Sequence, residues 1–156
     1  MREPVQVLVY PFRIKNKQRI YLLLKRIKSR GGFWQGVTGG VEKGEDLQTA
    51  ALRELHEETS LNCTNIMNIG CKYSIQLDDK WKYLYADNVN NIEEHVFVAF
   101  LDEEKDPIID PLEHNGWKWC TFDKAIELLK WTENIEALKQ VQSYLKNKSI
   151  GYIPTI

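Results

Sequence analysis

Three cysteines, Cys63, Cys71 and Cys120, are an odd number with no C-x-x-C pair among them. That pattern excludes a disulfide framework and the usual zinc spacings, and it predicts reduced thiols. Long hydrophobic runs are also missing. The apolar run "VQVLVY" is far shorter than a membrane span, and no small-residue cleavage site follows it, so a cytoplasmic protein with no membrane contact is expected. Proline and glycine are sparse, at 5 and 9 in 156 residues. With 43% hydrophobic and 28% charged residues, the composition is globular and not low-complexity, and no internal repeat is evident. The length suits one domain spanning residues 1–156.

Acidic residues are absent from a whole segment. Between Glu3 and Glu42 there is none, while Arg13, Lys15, Lys17, Arg19, Lys25, Arg26, Lys28 and Arg30 fall inside it. From Glu42 to Glu58 the sign reverses. The net charge of -1 argues against a surface for polymeric nucleic acid, but this local asymmetry suits an anion held beside a cation.

"PVQVLVY" and "RIYLLLKR" have the β-branched and aromatic content of strands, and the polar "RIKNKQ" between them predicts a hairpin. The glycine-rich "SRGGFWQGVTGG" reads as a loop with a short strand around Val37. A helix is expected to start after Asp46, a good N-cap, and to run through "LQTAALRELHEET". Further strands are expected at "KYSIQL", "HVFVAFL" and "GWKWC", and helices after Thr121 and Thr132. Strands and helices do not alternate regularly, so the expected fold is α/β (α+β), a mixed sheet with helices packed on it.

The helix after Asp46 carries the chemistry. Taking about 100° per residue from Leu47, Ala51 lies near 40°, Leu55 near 80° and Ala50 near -60°, which defines the face packed on the protein. Glu54 falls at about -20° and Glu58 at about +20°, within that apolar arc. Glu57 lies at its border. Two ionised carboxylates turned inward repel one another and are costly to bury, so the arrangement requires a positive partner. Mg²⁺ fits best, because it prefers oxygen ligands and binds through a few carboxylates plus substrate phosphates, and Mn²⁺ is the alternative. Arg53 can hold one carboxylate by a charge-assisted pair.

These residues resemble the signature of the Nudix hydrolases, G-x5-E-x7-R-E-U-x-E-E-x-G-U, where U is a bulky aliphatic residue. Gly39, Glu45, Arg53, Glu54, Leu55, Glu57, Glu58 and Leu61 match, and Ser60 stands where the pattern has Gly. "FWQGVTGGVEKGE", "EHNGWKW" and "WTENIEAL" extend the likeness to the branch that acts on dihydroneopterin triphosphate and dATP, although Asn65 to Asn91 matches poorly. The resemblance implies an α/β/α sandwich around a central mixed sheet and hydrolysis of a phosphoanhydride by water attack on phosphorus. It further implies that Glu54, Glu57, Glu58 and Glu113 are metal ligands, with Glu57, Glu58, Glu113 and Arg53 catalytic and Arg26, Thr38, Trp34 and Arg2 at the substrate. His95 and His114 are expected to be structural. The expected substrate is a nucleoside or pterin triphosphate cut to monophosphate and pyrophosphate, by a monomer or homodimer. A dinucleoside polyphosphate hydrolase and a non-catalytic nucleotide sensor are the competing readings. A sensor would be expected to have lost signature glutamates, and all of them are present.

Overall fold

The computed structural model describes residues 1–148. Its centre is strand β1 (Val5–Lys15), which turns back through Asn16 and Lys17 into β2 (Gln18–Arg26). Both turn residues have positive φ, 50° and 64°, so the hairpin closes in two residues with the twist that flanking strands favour. The polar turn expected from "RIKNKQ" is thus mostly strand. Charged residues there occupy the more exposed end of a pair whose middle positions are buried.

After a 3₁₀ turn at Lys28–Arg30, the glycine-rich stretch yields two short strands, β3 (Trp34–Gln35) and β4 (Val37–Gly40). Helix α1 (Leu47–Thr59) follows, and then β5 (Asn65–Gln76), β6 (Asn91–Phe100) and β7 (His114–Cys120). Helices α2 (Phe122–Leu128) and α3 (Thr132–Lys148) complete the described residues. The seven strands form one mixed sheet, ordered β3-β2-β1-β6-β5, with β4 also on β1 and β7 also on β2. Only β1 and β6 run parallel among these pairs; the others are antiparallel.

Alternation along β1 builds the layers. Leu8, Tyr10 and Phe12 face one way and pack with Ala137, Leu138, Val141 and Leu145 of α3. Val7 and Val9 face the other way, against Ala50, Ala51 and Leu55 of α1. Helices therefore cover both faces, as the expected sandwich requires. A third, small cluster of Leu77, Tyr85 and Ile92 lies apart from both.

Two departures from the sequence reading fall between α1 and β6. Strand β5 begins at Asn65, well before the expected "KYSIQL", because its exposed face is polar and interrupts the apolar signal. A 3₁₀ segment at Asp79–Leu84, capped by the Asp78 side chain on the Lys80 N–H, had no counterpart in the reading. Among the described residues no helix is long and apolar enough to cross a membrane.

Candidate functional site

Helix α1 starts where Asp46 Oδ1 accepts the Thr49 N–H at 2.7 Å, satisfying an otherwise orphaned donor. It ends at Ser60, whose φ of 61° is left-handed and whose N–H donates to the His56 carbonyl. Glycine is favoured at such a helix end, so Ser60 adopts the conformation its side chain resists. Between these ends the wheel is realised. Ala50, Ala51 and Leu55 are buried, and Glu54 and Glu58 are buried beside them at 9% and 8% exposure. Glu57 is exposed at the border.

Gly39 on β4 faces Glu54. A Cβ there would overlap the Glu54 carboxyl group, so the strand can pass the carboxylate only as glycine. Arg53 then gathers the other acids. Its Nε and Nη2 donate to Glu45 at 2.8 Å each, Nη1 donates to Glu54 Oε1 at 2.8 Å, and Nη2 reaches the Gly40 carbonyl at 2.9 Å. A longer 3.3 Å bond holds Glu57. Its bonds to Arg53 hold the Glu45 carboxyl down at about 2.

The two inward glutamates respond in the opposite sense. Burial pushes Glu54 up to about 7, against the pull of Arg53. Burial, then Glu54 and Glu113, push Glu58 well above the carboxylate range, with the Arg26 guanidinium and the Thr38 backbone opposing. Glu58 Oε2 is buried without a hydrogen-bond partner among the described residues. That orphaned oxygen and the mutual repulsion are what a bound cation would relieve. No group of three or more His, Cys, Asp or Glu side chains among the described residues is gathered to hold an ion unaided. The donor set therefore suits a hard divalent cation that takes Glu54 and Glu58 and keeps waters or ligand oxygens for its other positions.

A cavity of about 640 Å³ opens over these carboxylates. Glu54, Glu58, Arg53, Thr38, Arg26 and Arg2 all line it, and so does Glu113 from the turn before β7. Arg26 sits where β2 shifts register against β7. Its guanidinium, 5.9 Å from the centre of the Phe33 ring, has a buried Nε without a partner among the described residues. Glu113 pairs with Arg30 at 3.6 Å. Thr38 Oγ1 accepts from the Gln35 amide at 3.2 Å.

The remaining residues singled out in the sequence lie elsewhere. Glu57 does not line the cavity. Trp34 does not either: it pairs with Lys25, bridges to Leu129 and packs against the core beneath α2 and α3. A large aromatic ring on a two-residue strand is buried by whichever helix covers it. His114 is 1% exposed, with burial and Arg26 holding its ring neutral down to about 4. His95 bonds Glu93 at 2.6 Å on β6.

Several lining residues carried no signal in the sequence. Gln6 on β1 and Trp81, Tyr83 and Tyr85, around the 3₁₀ segment, also line the cavity. The Arg2 N–H donates to the Leu84 carbonyl at 2.8 Å and ties the chain's start to this wall. An aromatic cluster "WKYLY" was the one available clue.

The chain is similar to known proteins over most of its length. The model of the NUDIX domain matches residues 2–141. A dihydroneopterin triphosphate diphosphatase of Haemophilus influenzae is 30% identical over 142 residues, covering 88% of this chain and 85% of that protein. An RNA pyrophosphohydrolase of Pelagibacter ubique is 35% identical over 124 residues, covering 74% of this chain and 77% of that protein. Among solved structures, the E. coli dihydroneopterin triphosphate pyrophosphohydrolase superposes with a TM-score of 0.75 at 29% identity, over 89% of this chain and 94% of that one.

Proposed function

Because this chain belongs to the Nudix family and is a hydrolase of phosphoanhydride bonds, we propose that it is a Mg²⁺-dependent pyrophosphohydrolase of purine-like nucleoside or pterin triphosphates. Monophosphate and pyrophosphate are the products of this reading. One observation carries it: two buried, mutually repelling carboxylates, Glu54 and Glu58, share a cavity with Arg26, Arg2 and an aromatic wall.

Glu54 and Glu58 hold the cation, which supplies neutralisation of phosphate charge and a lowered pKa for the attacking water. Arg53 fixes Glu54 in place through their 2.8 Å pair while Glu45 anchors Arg53 from the other side. Arg26 and Arg2 bind the outer phosphates as charge-assisted donors. Glu113, which lines the same cavity, accepts the proton of the water or adds a ligand. Thr38 bonds the sugar or ring as it crosses β4. These assignments give each charge of a triphosphate a partner within one cavity.

Purified protein is tested with Mg²⁺ against dATP, dGTP, dihydroneopterin triphosphate, diadenosine tetraphosphate, nucleotide sugars and 5′-triphosphorylated RNA. Pyrophosphate release from the small triphosphates, abolished by EDTA and restored by Mg²⁺, is the expected result. Orthophosphate plus diphosphate, or activity confined to the dinucleotide, the sugars or RNA, overturns the reading.

A further inference from the structure

Glu94 on β6 is 1% exposed, and none of the ion pairs among the described residues includes it. A carboxylate so placed is costly to keep and calls for a reason. The parallel register sets it beside Gln6 of β1, and the Gln6 Nε2 donates to Glu94 Oε2. Its other oxygen is buried without a partner. The nearby Tyr10 hydroxyl donates instead to the Asn134 carbonyl at 2.7 Å, so it does not serve Glu94.

The consequence lies at the other end of the amide. A carboxamide has one acceptor and one donor group, and the Glu94 oxygen that faces Gln6 takes the donor. Fixing the Gln6 nitrogen on Glu94 therefore turns Oε1 away from it. Gln6 lines the cavity, and its Oε1 accepts no hydrogen bond among the described residues. The same cavity is also lined by Trp81, Tyr83 and Tyr85. Aromatic faces stack any base without regard to its edge, whereas a directed acceptor distinguishes edges.

We infer that Gln6, oriented by Glu94, reads an amino group on the substrate's ring, with the Trp81 to Tyr85 wall holding the ring's face. This rests on the proposed triphosphate reading and adds a specificity device to it. Gln6 is the contact, and Glu94 is a positioning residue that acts through it. The ring selected carries an amino donor, and a ring lacking it leaves the Gln6 oxygen unpaired, with the loss that follows for a partly buried acceptor.

The test uses two pairs of triphosphates that each differ by one amino group: dATP against 2′-deoxynebularine triphosphate, and dGTP against dITP. Pyrophosphate release gives kcat/KM for each, and calorimetry gives Kd for the four monophosphates independently of turnover. In at least one pair, loss of the amino group is expected to cost about tenfold or more in kcat/KM and in Kd. Gln6→Leu and Glu94→Leu should collapse that ratio to within about twofold, while Glu94→Gln, which can still accept from Gln6, should retain it. Equal values within both pairs in the wild type overturn the inference without any variant. So does a ratio that survives Gln6→Leu, a ratio lost equally in Glu94→Gln, or failure of all four monophosphates to bind. Pyrophosphate released equally from all four would sink the ring readout and leave the triphosphate reading standing. Absence of pyrophosphate with discriminating Kd values would do the reverse.

Discussion

Two parts of the cavity lining are built by different means. In one part, Glu54, Glu58 and Arg53 come from a single helix, and their geometry follows from its 3.6-residue period. In the other, Gln6, Trp81 and Tyr85 come from β1 and the segment after β5, and only the tertiary fold brings them together. A helix fixes the chemistry because it holds neighbouring side chains rigidly. A loop-bearing wall can vary in sequence while the hydrolytic part stays unchanged. The contrast predicts that substitutions in the helix act on kcat and those at the wall act on KM.

The largest effects belong to the helix. Glu54→Gln and Glu58→Gln should each lower kcat by at least about 10²-fold, with Tm unchanged or raised because a buried repulsion is removed. Steady-state kinetics beside thermal melts check this, and near-wild-type kcat would erase the distinction between the two parts. Gly39→Ala comes next. The added Cβ must displace the Glu54 carboxyl, so kcat should fall by about tenfold to thirtyfold without any charge being removed. At the wall, Trp81→Ala should raise KM for a purine triphosphate by about tenfold and leave kcat within about twofold, as the loss of one stacking face implies.

Glu94 gives a smaller effect with a defined sign. Burial raises its carboxyl to about 7. The folded protein therefore keeps a proton that the unfolded chain releases, and the associated stability is full below the unfolded carboxylate range and lost as pH rises through about 7. In metal-free buffer the Tm of Glu94→Gln should fall less than wild type between about pH 5 and 8, and parallel Tm curves would contradict the burial argument. Smallest of all, Ser60→Gly should stabilise the fold by roughly 1 kcal/mol in urea melts by relieving a left-handed serine, with kcat unchanged.

The helix was legible because its period, its N-cap at Asp46 and the match from Gly39 to Leu61 all agree on one placement. Strands β6 and β7 were legible as apolar or aromatic runs. Strand β5 was only half visible, since alternation with exposed polar residues hid its first seven positions. Trp34 shows the limit of reading single residues. A tryptophan in a glycine-rich loop reads as a stacking platform, and this one is partly buried against the core cluster and does not line the cavity.

The sequence alone determined the family and the side of α1 that faces inward, because these depend on residue types at short, fixed spacings along one chain segment. Tertiary structure alone decided that Gly39 must make room for Glu54, that Gln6 meets Glu94 across 88 residues, and that Trp81 and Arg26 line one cavity. Those contacts arise from strand register and from the order β3-β2-β1-β6-β5, and no local period encodes which strand lies beside which.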